Sequence, residues 1–280
     1  MPRPWPGACP VFDAARGARG PGAFFRDNAG MFAVTPDPTF RPRCFAIVPC
    51  AGVGERAAAG GPKQYHPVAG QALVAHTLSA LARVARLDAT LVVLSPSDEQ
   101  FERHAPDFRG ERAWVARVGG ATRADSVLNG MAELVARGAQ PHDWVLVHDA
   151  ARCLIEPAWV DQLITECEDD EVGGLLALPL ADTLKAGAPG PDGEVRATTT
   201  VDRRGKWAAQ TPQVFRLGLL QPALRHALAD PASAATITDE ASAIEALGHQ
   251  PRLVVGNYEN IKVTWPGDFA LAERLLRTRT

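Results

Sequence analysis

The sequence predicts an α/β protein: a doubly wound, mainly parallel sheet with a protruding β-arm. Two observations carry this expectation. Short apolar runs at 45–48, 89–94, 113–118, 143–148 and 173–178 alternate with segments of helical spacing, the pattern of strands crossing over through helices. Residues 181–201 break that pattern, being polar and Thr-rich with a Pro/Gly/Asp turn at 189–193, as expected of an extended two-stranded ribbon.

Residues 1–42 hold eight of the 23 prolines and no apolar period, so they are expected to form a disordered N-terminal extension, with Met31 as an alternative start. They contain no continuous apolar segment of the signal-peptide kind, and no serine to support a transit peptide. The domain is then expected over 43–280. Its first strand, Phe45-Ala46-Ile47-Val48, closes at Pro49. Leu73, Val74, Leu78, Leu81 and Val84 give 71–86 a helical face. Strands at 89–94 and 113–118 follow. Thr122 with Asp125 three residues later is a capping-box pattern, and Val127, Met131, Leu134 and Val135 form the face of the helix it opens. The strand at 143–148 ends in Asp149, and Pro157 opens the next helix. Beyond the arm, a capped helix is expected at 236–247, stopped by Gly248, with short strands at 252–255 and 260–263 and a last helix at 268–276.

The loop after the first strand organises the rest. It carries Gly52, Gly54, Gly60 and Gly61 with two cations, Arg56 and Lys63. Glycine lets backbone N–H groups approach an anion, and a strand running into such a loop delivers them at the carboxyl edge of the sheet. A nucleoside triphosphate site is the first reading; a plain Gly/Ala surface loop is the other. Walker A is excluded, because Lys63 follows Pro62 and precedes Gln64 rather than Ser or Thr. Residues 52–57 fit GxGxxA, but Gly60-Gly61-Pro62 breaks the helix a dinucleotide site needs, and His76 lies near the expected acid.

A formal net charge of −3 argues against a nucleic-acid or membrane surface role based on bulk charge. No apolar run approaches the roughly 18 residues of a membrane span. Five cysteines without a CxxC pair suggest neither a disulfide framework nor a zinc site, which makes a reducing, cytoplasmic setting the expectation.

Other strand ends repeat the arrangement. Gly119-Gly120 leading to Ser126 offers close approach and a helix N-terminus, or an ordinary turn. Asp149 sits at the end of a buried strand, where a carboxylate needs a partner: a substrate hydroxyl or a cation. Asp202-Arg203-Arg204 reads as a solvated face, and Lys262 either points to solvent or serves the site. His76, His104, His142 and His226 have no partner pattern and read as structural or exposed.

Together these segments resemble the 2-C-methyl-D-erythritol 4-phosphate cytidylyltransferase family from about Cys44 onward. The resemblance rests on Gly52-Val53-Gly54-x-Arg56, Pro62-Lys63-Gln64-Tyr65, Arg123-Ala124-Asp125-Ser126-Val127 and Val147-His148-Asp149-Ala150-Ala151-Arg152. Asp182-Thr183-Leu184-Lys185, Thr200-Val201-Asp202-Arg203, Gln210-Thr211-Pro212-Gln213, Thr236 to Ala241 and Asn260-Ile261-Lys262-Val263-Thr264 complete it in order. It implies a Rossmann-like nucleotidyltransferase that transfers the cytidylyl group of CTP and releases pyrophosphate. Arg56, Lys63 and Lys262 are implied as catalytic. Ala51, Gly52, Gly54, Gly120, Ser126 and Ala150 are implied at the nucleotide, and Asp149, Arg152, Thr183, Arg203 and Thr211 at the acceptor. Mg²⁺ held mainly by substrate phosphates is implied, with no protein metal ligand, as is a homodimer through the arm in which Thr183 and Arg203 serve the partner's site.

Two positions depart from the family pattern. Cys50 replaces a more usual alanine with little expected effect. Ala121 replaces a frequent acid, which puts one nucleotide contact in doubt. At 280 residues, the cyclodiphosphate synthase fused to some bacterial members is not expected. Ribitol 5-phosphate is the alternative acceptor, since the phosphate loop does not separate the two; the segments around Thr183 and 236–241 favour methylerythritol phosphate. A non-catalytic nucleotide-binding regulator is the rival from another class; the presence of Arg56, Lys63 and Lys262 weighs against it.

Overall fold

The structure, a computed structural model, describes residues 41–52 and 61–279. Most of the expected N-terminal extension, together with Gly54 and Arg56, lies outside the described residues.

The elements run β1 (Cys44–Pro49), a 3₁₀ turn (Lys63–Tyr65), the minimal pair β2 (Pro67–Val68) and β3 (Gln71–Ala72), α1 (Leu73–Ala82), β4 (Ala89–Val93) and α2 (Phe101–His104). Then come β5 (Ala113–Ala116), α3 (Arg123–Ala136), β6 (Trp144–Val147), α4 (Pro157–Cys167) and β7 (Gly173–Pro179). The chain continues through β8 (Leu184–Pro189), β9 (Val195–Val201), β10 (Trp207–Arg216), α5 (Leu217–Ala229) and α6 (Pro231–Ala234). It ends with α7 (Glu240–Ala246), β11 (Arg252–Val255) and α8 (Pro266–Thr278).

Among the described residues, seven strands form the central sheet in the order β11-β7-β10-β6-β1-β4-β5. All are parallel except β10, which runs antiparallel to both β6 and β7. Side chains of β1 alternate between two apolar layers, as a pleated strand buried on both faces requires. Ala46 and Val48 pack with Leu78 and Leu81 of α1 and Val160 and Leu163 of α4. Phe45 and Ile47 pack with Val127 and Met131 of α3, Leu220 and Leu224 of α5 and Ile244 of α7. Among the described residues, strands β8 and β9 pair with each other alone and are largely exposed, forming the expected arm.

Three expectations need correction. The stretch 260–263 is not a strand: the Asn260 and Ile261 N–H groups donate to the nearby Asn257 and Glu259 carbonyls, the Val263 N–H donates to the Ala151 carbonyl, and the Asn260 carbonyl accepts from Arg152, so this backbone is held by turns and single contacts rather than a ladder. The helix expected from 236 begins at Glu240, because Asp239 is its N-cap, accepting from the Ser242 N–H. The first helix occupies Leu73–Ala82, shorter at both ends than 71–86, since Gln71 and Ala72 pair with Val68 and Pro67.

Candidate active site

A cleft opens at the carboxyl edge of β1 and β6, lined among the described residues by Ala51, Gly52, Lys63, Gly120, Ser126, Asp149, Ala150 and Lys262, with Gln64, Thr122 and Arg123 beside them. The loops after β1 and β5 touch at Gly119. A Cβ there would lie 2.4 Å from the Cβ of Ala51 and 2.7 Å from the Leu94 carbonyl oxygen, so only glycine fits. The Gly119 N–H donates to that carbonyl at 2.8 Å. The next turn is locked from inside. Ser126 Oγ accepts from the Gly120 N–H at 3.1 Å and donates to the Thr122 carbonyl at 2.9 Å, while Thr122 and Asp125 complete the capping box of α3. The Ser126 hydroxyl thus shapes the wall it belongs to.

Lys63 opens the 3₁₀ turn and its Nζ donates to the Val263 carbonyl at 2.9 Å. Two neighbours anchor the turn. Gln64 Nε2 donates to the Cys50 carbonyl at 3.1 Å, and the Tyr65 hydroxyl donates to Asp98 at 2.5 Å with its ring stacked on His104. Lys262 also lines the cleft, its Nζ 2.7 Å from Oδ2 of Asp149.

Asp149 follows β6 and is buried. Burial alone would raise its carboxyl, but Arg123 and Lys262 outweigh that cost and hold it well below the ordinary carboxylate range. Arg123 Nε donates to Oδ1 at 2.8 Å. Behind it, the Asp149 N–H donates to Thr211 Oγ1 at 3.0 Å, and Thr211 Oγ1 lies 3.1 Å from Nδ1 of His148. Burial depresses the His148 imidazole to about 4, so it is neutral near pH 7. Its Nε2 faces the Arg152 carbonyl at 3.3 Å; that assigns the proton to Nε2 and leaves Nδ1 to accept from Thr211. Thr211 reaches this position because β10 loses register between Ala209 and Gln213.

The family profile for 2-C-methyl-D-erythritol 4-phosphate cytidylyltransferase matches residues 44–278. The chain belongs to this family. As a member it is a cytidylyltransferase acting with CTP and 2-C-methyl-D-erythritol 4-phosphate in the non-mevalonate route to isoprenoids. It is 50% identical over 234 residues to the enzyme so named from Paraburkholderia phymatum, covering 84% of this chain and 96% of that protein. It is 53% identical over 248 residues to "Bifunctional enzyme IspD/IspF" of Albidiferax ferrireducens, covering 89% of this chain but only 56% of that relative's length. Among solved structures, a 4-diphosphocytidyl-2C-methyl-D-erythritol synthase superposes with a TM-score of 0.72 at 38% identity, covering 85% of this chain and all of that one. The Francisella tularensis 2-C-methyl-D-erythritol 4-phosphate cytidylyltransferase gives 0.69 at 30% identity, over 83% of this chain and 99% of that one.

Within this cytidylyltransferase the expected site residues divide into three groups. Ala51, Gly52, Lys63, Gly120, Ser126, Asp149, Ala150 and Lys262 share the cleft. Thr211 and Arg152 stand behind it: Arg152 is buried and its guanidinium donates to the Asn260 carbonyl at 2.5 Å. Thr183 and Arg203 are exposed beside the arm and do not line this chain's cleft. Sequence reasoning passed over two participants, Arg123 and Glu240. The sequence signal for Arg123 is its place at the first turn of the helix after Gly119-Gly120. Glu240 is buried to 1% exposure, a burial that nothing in its local sequence announces.

Proposed function

We propose that the cleft binds the CTP triphosphate between Lys63, Arg56 and the glycine loop, and the acceptor against Asp149 and Lys262. An oxygen of the acceptor phosphate attacks the α-phosphorus of CTP in line. The new P–O bond forms as the bond to pyrophosphate breaks, and no covalent enzyme intermediate is needed. Lys63 neutralises the triphosphate, and Lys262 the attacking or α-phosphate. Asp149, held ionised, only accepts hydrogen bonds, which suits hydroxyls of the sugar alcohol. The observation that carries this reading is the meeting of Lys63 and Lys262, far apart in the chain, in one cleft, with Lys63 Nζ on the carbonyl of the residue after Lys262. Preorganised cations of this kind are worth several kcal/mol of barrier, on the order of 3 kcal/mol for a single donor.

Members of the family are metal-dependent, and we take the ion to be Mg²⁺. Among the described residues no cluster of three His, Cys, Asp or Glu side chains is present. The cleft's one carboxylate among those residues, Asp149, has both oxygens on cations. This donor set fits an ion carried in by phosphate oxygens rather than a protein cage. When bound, Mg²⁺ would supply charge neutralisation across the phosphates.

A homodimer is part of the proposal. A two-stranded ribbon is marginal in water, and the arm leaves Val195 74% exposed. A second copy would cover it and bring Thr183 and Arg203 toward the partner's acceptor site. We place the enzyme in the cytoplasm, without nucleic-acid or membrane partners; among the described residues no helix is long and apolar enough to cross a membrane. Pyrophosphate release, measured for each nucleoside triphosphate with methylerythritol phosphate and with ribitol 5-phosphate, tests the assignment. Turnover confined to CTP with methylerythritol phosphate is expected, and preference for ribitol 5-phosphate would overturn it.

A further inference from the structure

Asp149 is not positioned by its own strand alone. Its Oδ1 takes Nε of Arg123, and the other two nitrogens of that guanidinium are held by a second carboxylate. Glu240 Oε1 accepts from Nη1 at 2.7 Å and Oε2 from Nη2 at 3.1 Å. A planar guanidinium gripped through both Nη atoms has its plane fixed, and with it the direction of Nε–H. That direction sets the rotation of the Asp149 carboxylate, so Oδ2 is left facing Lys262 Nζ at 2.7 Å.

Glu240 is itself held rigidly. It opens α7, and Gln213 of the central strand β10 ties that end of the helix to the sheet. Gln213 Nε2 donates to Asp239 at 2.8 Å, and its Oε1 accepts from the Ala241 N–H at 2.8 Å. The line Gln213, Glu240, Arg123, Asp149, Lys262 therefore joins five separate segments of chain, the last four residues through charge-assisted bonds. Stability is a poor explanation for such a line. A buried ion pair recovers little beyond its desolvation cost, and apolar residues of equal volume serve a core as well. Burial also raises the Glu240 carboxyl despite Arg123, so holding it charged here works against its surroundings.

We propose that Glu240, which touches neither cleft nor substrate, is a positioning residue for acceptor binding: through Arg123 it sets the orientation of the Asp149 carboxylate. This rests on the reading of Asp149 as the acceptor's hydroxyl ligand. On the CTP side of the cleft, Gly120 and Ser126 bond to each other and to Thr122 rather than to the side chains of this line.

The test is steady-state kinetics of Glu240→Gln, which keeps shape and removes charge. KM for methylerythritol phosphate is expected to rise about tenfold, as for a displaced orienting group, with KM for CTP within about twofold of the parent. Arg123→Lys, which keeps charge and loses the fork, is expected to show the same acceptor-selective rise. Unchanged kinetics, or equal rises in both KM values, would overturn the positioning role, because general loosening of the fold does not select one substrate. If Glu240→Gln does not fold, Glu240→Asp and Arg123→Lys are read by the same criterion. An unsubstituted enzyme that turns over CTP without methylerythritol phosphate would instead overturn the assigned reaction, and this proposal with it.

Discussion

Lys63 Nζ donates to the carbonyl of Val263 at 2.9 Å, one residue beyond Lys262. The two lysines of the cleft are thus mechanically joined: the side chain of one fixes the backbone that carries the other.

Lys63→Ala is therefore expected to harm both phosphate sites. Turnover at saturating CTP and Mg²⁺ should fall by about two orders of magnitude or more, the scale of one lost transition-state donor. Arg56→Ala is expected to fall similarly. Rapid-quench measurement of CTP consumption checks this, and near-normal rates in both variants would remove the phosphate-cradle assignment.

Gly119→Ala should damage the nucleotide side through packing. The new methyl meets the Ala51 Cβ and the Leu94 carbonyl, both on backbone-fixed positions. A loss of about 1–3 kcal/mol is expected from such overpacking. Denaturant unfolding gives the stability, and a raised KM for CTP should accompany it. A variant as stable as the parent would show that the two loops are not in fixed contact.

His148 makes stability depend on pH. Its folded value, about 4, lies below the ordinary 6.5. Between these values the unfolded chain binds the proton and the folded chain does not, so stability falls as pH drops from 6.5 toward 4 and then levels for this group. The full shift corresponds to roughly 3 kcal/mol. Asp149 stays ionised through this window, its carboxyl being held low. Chemical denaturation of His148→Gln against the parent, at pH 7 and pH 4.5, isolates the contribution. The gap between them should narrow on acidification; a constant gap would show that His148 is not buried neutral.

The arm prediction is one of complementation. Arg203→Ala and Lys63→Ala subunits, each nearly inactive, are mixed and allowed to exchange. If Arg203 serves the partner's site, a mixed dimer carries both defects in one site and leaves the other whole, restoring up to about half of the activity by two-fold symmetry. Verified exchange with no recovery, or a monomeric active enzyme, would sink the shared site.

Much of this was legible in the sequence because strands end where chemistry begins. The runs 45–48 and 143–148 announced themselves by continuous apolarity, and Lys63 and Asp149 followed from their positions after those runs. The central strand β10 was not legible. Trp-Ala-Ala-Gln-Thr-Pro-Gln-Val-Phe-Arg mixes exposed and buried residues, because its first half is open and only 210–215 is buried between β6 and β7. The strand expected at 260–263 failed for the opposite reason. Its apolar look reflects packing of Val263 beside Leu154 and Ala272, while its polar backbone is answered by Arg152 and Ala151. Glu240 and Arg123 lie 117 residues apart, so no local pattern could join them.

The lone antiparallel strand also orders events in time. When residue 147 has left the ribosome, β5, β4, β1 and β6 already have all their partners but one. Strand β7 follows soon after, yet it does not pair with β6; a gap one strand wide separates them. Only Trp207–Arg216, made after the whole arm, closes that gap. Such late pairing is the slow kind, since the chain between must first be looped out. The same strand brings Thr211 to the Asp149 N–H and Gln213 to α7. A nascent chain therefore has the β1 and β6 edges of the cleft before Thr211 is made, while β11 and the Val263 carbonyl that holds Lys63 come later still.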